Sequence, residues 1–220
     1  MLDLKARIVP KNYRNVTGKK ASTKANDALF ESTLERDFLT VIEFDHSVSL
    51  FDVQPVTIHW IDKEGKSRKY TPDVLVFFKK NDDGTPSKVP ELCEIKYRSE
   101  LKEHWHELRP KFKAAVKYAK QHGWRFRLVT DVEIRTSYMD NAKFLLPYLH
   151  REQKSPYLLL IQRKLLELRE TSIQALITSI FSDKWAQAEL IPIVWQLIAL
   201  RKVGVDFNIP LTMDSRIWSK

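Results

Sequence analysis

The sequence predicts an α/β domain with a mixed sheet, followed by a smaller and mainly helical domain. Residues 92–97, 101–122 and 124–129 have the patterns of a strand, a helix and a strand, and such a passage usually makes a right-handed parallel crossover. Before it, the alternation of residues 53–62 and the apolar run of residues 67–78 predict an antiparallel hairpin. The last third of the chain is dominated by helical periodicity. The sheet should therefore contain both parallel and antiparallel neighbours.

Composition limits the class of protein. The 220 residues suffice for one large core or two small domains, and an excess of 37 Lys and Arg over 28 Asp and Glu attracts phosphate backbones or anionic membranes. The single cysteine, Cys93, allows neither an intrachain disulfide nor a cysteine-based zinc cluster. Since the chain shows no signal peptide and no apolar run that could span a membrane, we expect a protein of the bacterial cytoplasm with no membrane partner.

The amino-terminal segment, residues 1–30, is rich in lysine and arginine and has weak apolar periodicity. This composition predicts a basic, partly ordered arm that contacts the DNA backbone, with Lys19 and Lys20 among the candidate contacts. The alternative is a solvated tail without a role.

Residues 31–149 are predicted to form one α/β domain. Helical spacing of apolar residues indicates a first helix over 31–43, with Ser32 as its N-cap, and a last helix over 141–149. The turn-rich segment 81–87 separates the hairpin from the next strand.

Residues 150–220 predict a second domain with the layout of a winged helix, which is three helices followed by a β-hairpin. An irregular helical cap on the first domain is the alternative. The predicted helices cover residues 157–168, 172–181 and 185–200, and the predicted strands cover residues 203–211 and 216–218.

An acidic cluster with a lysine is the strongest chemical signal in the chain. Asp73 begins an apolar strand, and Glu94 and Lys96 lie two residues apart on the next strand, so that both point to one face. Two carboxylates and a backbone carbonyl, that of Ile95, make a hard oxygen site for Mg²⁺, and the lysine can neutralise charge on a phosphate. The alternative is a turn-edge aspartate and a surface ion pair on a strand.

Glu35 is the candidate third carboxylate. It lies one turn from Phe38 and Leu39, at the edge of the buried stripe of the first helix, where it could face the sheet. The alternative is structural, because Ser32 and Glu35 also have the spacing of a capping box.

Several residues around this cluster are candidates for contacts with DNA phosphates. Solvated charge around the strand ends is the alternative explanation. The candidates are Lys66, Arg68, Lys69, Tyr97 and Arg98.

Taken together, these stretches resemble the TnsA-type endonuclease subunit of heteromeric bacterial transposases. The resemblance runs through residues 30–135, roughly half the chain, in unbroken order. The matching stretches are FESTLERDFLTVIEFDHSV, FDVQPVTI, YTPDVLVFF, CEIKYR and LVTDVEI.

The resemblance implies a restriction-endonuclease-like catalytic domain whose active site comprises Glu35, Asp73, Glu94 and Lys96. It implies Mg²⁺ as the cofactor, with Mn²⁺ as a substitute, held by the three carboxylates and the carbonyl of Ile95. Some members have glutamine at the position of Glu94, and the glutamate here keeps the ordinary nuclease pattern.

The resemblance also implies a biological role. Members cut the 5′ ends of a transposon on the non-transferred strand, a TnsB-type DDE transposase cuts and joins the 3′ ends, and a TnsC-type AAA+ ATPase regulates the assembly. Two rival hypotheses remain: another nuclease of the same fold, of the resolvase or repair type, and a non-catalytic DNA-binding scaffold protein whose acidic cluster is structural.

Overall fold

The computed structural model describes residues 16–152 and 156–220 and divides the chain into two compact units. The first unit ends at Arg135 and the second runs from Thr136 to Lys220. The sequence analysis placed this boundary after residue 149. The difference arises because the helix that ends there packs against the long helix of the second unit. Residues 1–15 of the predicted basic arm lie outside the described residues.

The first unit contains eight strands and three helices among the residues that the structure describes. Its elements are β1 (Gly18–Lys20), β2 (Ala28–Phe30), α1 (Thr33–Phe44), β3 (Val48–Val53), β4 (Ile58–Ile61), β5 (Ser67–Tyr70), β6 (Val74–Phe78), β7 (Glu91–Lys96), α2 (Arg98–Gln121), β8 (Arg125–Thr130) and α3 (Asp131–Ile134).

The main sheet has the order β3-β6-β7-β8. The first two pairs are antiparallel and β7 pairs with β8 in parallel, which confirms the mixed sheet and the crossover through α2. The predicted long hairpin was wrong in one respect. Among the described residues, β4 and β5 form a two-stranded sheet of their own, and β6 pairs with the unpredicted β3. Pro72 separates β5 from β6, since a proline has no N–H for a strand ladder.

The core of the first unit lies on both faces of the sheet. Because successive strand residues point to opposite faces, Val74 and Cys93 pack with α1 whereas Leu75 and Leu92 pack with α2. On α2, the buried residues are Phe112, Ala115 and Ala119.

The second unit contains α4 (Ser137–Leu149), α5 (Tyr157–Leu168), β9 (Glu170–Ser172), α6 (Ile173–Ile180), α7 (Lys184–Ala199), β10 (Val203–Val205) and β11 (Arg216–Ser219). The predicted order of three helices and two strands is confirmed for α5 to β11. The sequence analysis missed β9, which joins these strands in an antiparallel sheet of order β10-β11-β9. Among the helices of the described residues, none has the length and apolar content needed to cross a bilayer.

One buried amide fastens α4 to the loop between β10 and β11. The side chain of Asn141 is 4% exposed, and its Nδ2 donates to the carbonyls of Phe207 (2.9 Å) and Ile209 (2.8 Å). Its Oδ1 accepts a hydrogen bond from the N–H of Leu211 at 3.0 Å. Three backbone groups of the loop therefore depend on this side chain, because buried polar groups need partners.

Substituting Asn141 with alanine should lower the free energy of unfolding by about 2–4 kcal/mol, since it removes the partners of three backbone groups. Urea unfolding followed by tryptophan fluorescence measures the change. Asn208→Ala is the matched control, because Asn208 lies exposed in the same loop and bonds only to Asp206 in its neighbourhood. Equal midpoints for the two variants would contradict this role of Asn141.

Candidate active site

Asp73 is held at the junction between the two strands that carry the acidic cluster. Pairing of Val74 with Cys93 in the β6–β7 register means that one further step brings Asp73 opposite Glu94. The backbone N–H of Asp73 donates to the carbonyl of Cys93 at 3.1 Å, and its Oδ2 accepts a hydrogen bond from the N–H of Ile95 at 2.6 Å. The carboxylate is therefore fixed from two sides.

Glu94 and Lys96 share one face of β7, as the strand alternation predicted. The Nζ of Lys96 lies 3.6 Å from Oε1 of Glu94, and Glu94 is only 2% exposed. A buried carboxylate needs charged or hydrogen-bonding partners.

Two of these partners were not predicted from the sequence. The hydroxyl of Tyr70 donates to Oε2 of Glu94 at 2.7 Å, and Nζ of Lys111 donates to Oε1 at 3.1 Å. Lys111 comes from α2, and its Nζ also lies 4.8 Å from the centre of the Tyr70 ring. The signal in the sequence was a lysine on the apolar stripe of a helix, between Leu108 and Ala115.

Glu35 lies near this cluster but is bonded to the start of its own helix. Its Oε1 accepts a hydrogen bond from the hydroxyl of Ser32, and its Oε2 accepts one from the N–H of Glu31, both at 2.8 Å. The hydroxyl of Ser32 in turn accepts a hydrogen bond from the backbone N–H of Glu35. The structural role that the capping-box spacing indicated is thus present.

Burial disfavours the ionised forms of Asp73 and Glu35 in this cluster. It raises the pKa of Asp73 well above its usual range, and the charges of Glu94 and Glu35 raise it further against the opposing charge of Lys96. Burial also raises the pKa of Glu35. For Lys96, burial by itself would lower the pKa, but the charges of Glu94 and Asp73 outweigh it and raise the pKa. A cation bound at this site would therefore stabilise the ionised carboxylates.

The donor set fits a magnesium ion held by two carboxylates. Within residues 16–152 and 156–220, no three His, Cys, Asp or Glu side chains are placed to hold one ion together, so Glu35 does not join Asp73 and Glu94 in a single three-carboxylate cluster. Mg²⁺ commonly takes only one or two carboxylates, with water and substrate phosphates as its other ligands. The raised pKa of Asp73 supports the fit, because a bound cation would stabilise its ionised form.

The candidate DNA contacts on the β4–β5 hairpin are partly paired within the protein. Lys66 lies 2.8 Å from Glu64, and Arg68 lies 2.7 Å from Asp62. Lys69 is exposed on β5. Pairing of the first two with carboxylates weakens their attraction for phosphates, although all three stay candidates.

The other candidate contacts lie on separate elements. Lys19 forms an ion pair of 2.6 Å with Asp27, and burial lowers the pKa of Lys20 to about 8. Tyr97 and Arg98 follow directly after the active-site strand, where Tyr97 is the N-cap of α2. Arg98 is exposed there, two residues after Lys96 in the sequence.

A mixed sheet with an aspartate opposite a Glu-X-Lys strand defines a nuclease of the restriction-endonuclease-like class. Two family models match this chain, TnsA-like endonuclease N terminal over residues 45–131 and TnsA endonuclease C terminal over residues 133–207. The chain belongs to the TnsA-type endonuclease family. No curated protein matches the chain. The first match includes Asp73, Glu94 and Lys96 and begins beyond Glu35.

We expect Asp73→Asn to raise the thermal unfolding midpoint by about 3–6 °C at pH 8 in EDTA. Because its pKa is raised in the folded state, Asp73 increasingly destabilises the native state as the pH rises above the ordinary aspartate pKa. Below the ordinary aspartate pKa of about 3.9, both states are protonated and the penalty vanishes. The gain should therefore shrink at pH 5. The asparagine Oδ1 can still accept the hydrogen bond from Ile95.

Calorimetry of wild type and variant at the two pH values measures this gain. Asp82→Asn, in the exposed loop after β6, is the charge-matched control and should leave the midpoint within about 1 °C. A lower midpoint for Asp73→Asn, or a gain equal at both pH values, would rule out the proposed penalty.

Proposed function

We propose that this protein is a Mg²⁺-dependent DNA endonuclease that cuts the non-transferred strands at the 5′ ends of a transposon. The observation that carries the proposal is the buried carboxylate of Glu94 opposite the half-buried carboxylate of Asp73, with Lys96 at 3.6 Å from Glu94. Membership of the TnsA-type endonuclease family supports the reaction on DNA and the place of this chain in transposition.

Each residue of the cluster has a distinct part in phosphodiester hydrolysis. Asp73, Glu94 and the carbonyl of Ile95 would hold Mg²⁺ (or Mn²⁺), which supplies positive charge next to the phosphate and lowers the pKa of a bound water. Lys96 keeps its proton, because Glu94 and Asp73 raise its pKa, and so acts as a charge that stabilises the phosphate in the transition state. It is less suited to act as a general base.

The residues around Glu94 keep its carboxylate in one orientation. Tyr70 and Lys111 bond to different oxygens of Glu94, so the carboxylate cannot rotate freely. Such fixed geometry matters because misplacement of a reacting group by about 1 Å can lower the rate roughly 100-fold. Glu35 belongs to this proposal as a nearby carboxylate whose charge acts on Asp73.

The second unit and the partners belong to the same proposal. The order α5-β9-α6-α7-β10-β11 supports a winged-helix-like domain, which suits contacts with DNA or with a protein of the assembly. By resemblance, the partners are a TnsB-type transposase and a TnsC-type ATPase in the bacterial cytoplasm. Coordinated cuts at both strands then release the element for cut-and-paste transposition.

Nicking of supercoiled plasmid in Mg²⁺ or Mn²⁺ tests the active site. Asp73→Ala and Lys96→Ala should each lower the nicking rate at least about 100-fold, because each removes a charge that acts on the reacting phosphate. Asp82→Ala and Lys80→Ala are controls of the same residue types at exposed positions and should nick like the wild type. EDTA should abolish all nicking.

Equal nicking by the Asp73 and Lys96 variants would refute the assignment of the site. If the wild-type protein alone does not nick, the comparison is repeated with the transposase partner and a labelled transposon end. Cleavage of the non-transferred strand there supports the proposed role. Absence of cleavage in the complete assembly would leave a non-catalytic scaffold as the better account.

A further inference from the structure

A basic groove lies between β4 and α2, outside the carboxylate cluster. It has a volume of about 670 Å³, and its floor includes Ile58 from β4 and Ala114 from α2. Its walls carry the exposed cations Lys63, Arg109, Lys113 and Lys117, together with His59 and His106. No aspartate or glutamate is among the residues that line it.

The cations of this groove are not neutralised by carboxylates of the residues that the structure describes. Within the described part of the chain, Lys63, Arg109, Lys113 and Lys117 form no ion pair with a carboxylate. The neighbouring hairpin is different, since Lys66 and Arg68 are paired there with Glu64 and Asp62. Several unpaired positive charges close together repel one another and attract an anionic partner.

The spacing of the cations indicates an extended anion. Arg109, Lys113 and Lys117 recur every four residues on α2, so they form a row along one face with steps of about 6 Å. A row of about 12 Å is longer than a single phosphate or carboxylate. It matches a chain of regularly repeated negative charges.

The row lies on a different side of α2 from the active-site lysine. Lys111 is two residues from both Arg109 and Lys113, which corresponds to a turn of about 200° around the helix axis. Lys111 bonds to Glu94, whereas the row faces the groove. An anion in the groove therefore does not occupy the site of Asp73 and Glu94.

We propose that the groove between β4 and α2 binds the phosphate backbone of duplex DNA at a distance from the phosphate that is cut. This inference rests on the proposed function, because it assumes that DNA is the substrate. The groove adds affinity independent of sequence and sets the angle at which the duplex approaches the cluster. If the groove contacts the phosphates, Lys66 and Arg68 on the neighbouring hairpin are not needed for that contact and can stay paired with Glu64 and Asp62.

The test measures binding of a fluorescein-labelled 30-base-pair duplex by anisotropy in EDTA, as a function of KCl concentration. The groove variant is Arg109→Gln, Lys113→Gln, Lys117→Gln. The control variant is Lys80→Gln, Lys88→Gln, Lys120→Gln, which removes the same charge from exposed positions outside the groove. Glutamine preserves helix propensity on α2.

The groove variant should raise Kd at least about 10-fold at 100 mM KCl and reduce the slope of log K against log salt by about 2–3. The control variant should change Kd less than about 3-fold. Equal effects of the two variants would mean that net charge alone matters, and would overturn the proposal. Unfolding midpoints of both variants are compared first, and Lys63→Gln with Lys117→Gln serves if the groove variant is unstable.

Two further measurements separate the remaining outcomes. Binding of labelled polyglutamate identifies an acidic protein as the occupant if the groove variant loses it while retaining duplex binding, and this would overturn the proposal. Asp82→Ala, outside the groove and the carboxylate cluster, should bind duplex with the wild-type salt slope. If the groove variant weakens duplex binding but the wild type never cleaves DNA, the proposed function fails and the groove proposal stands. If the wild type cleaves DNA and the groove variant binds duplex as the wild type does, only the groove proposal fails.

Discussion

The antiparallel register of β6 and β7 is the constraint on which the site depends. It brings Asp73 opposite Glu94 in a sheet that packs against a helix on each face, so two carboxylates lie close together, with Glu94 buried and Asp73 half-buried. Burial raises the pKa of Asp73, and the charge of Glu94 raises it further. Most of the polar contacts around β7 offset the negative charges of these two carboxylates.

The groups that offset these charges come from elements that are far apart in the chain. Tyr70 at the end of β5, Lys111 on α2 and Lys96 on β7 itself all approach Glu94, and the N–H of Ile95 bonds to Asp73. These partners compensate the charge of Glu94 more completely than that of Asp73. A site left short of positive charge is less stable than an apolar core would be, and it is suited to bind a cation and a phosphate.

Helix α2 connects the fold with the proposed interaction with DNA. One side of it packs on the sheet through Phe112, Ala115 and Ala119, and the same side carries Lys111 to Glu94. Its outer side carries the cationic row of the groove. Because α2 contacts β4, β7 and β8, the groove and the carboxylate cluster are both built on this helix within the first unit.

The sequence by itself determined the mixed sheet, the crossover and the placement of Glu94 and Lys96 on one face of a strand, because strand alternation and short-range spacing follow from backbone geometry alone. It also predicted Asp73 as a member of the same site. It did not determine β3 as the partner of β6, the boundary after Arg135, or the approach of Lys111 to Glu94. These features depend on which strands and helices, distant from one another in sequence, pack together. Such long-range contacts are decided by the packing of the whole unit, which only the tertiary structure shows.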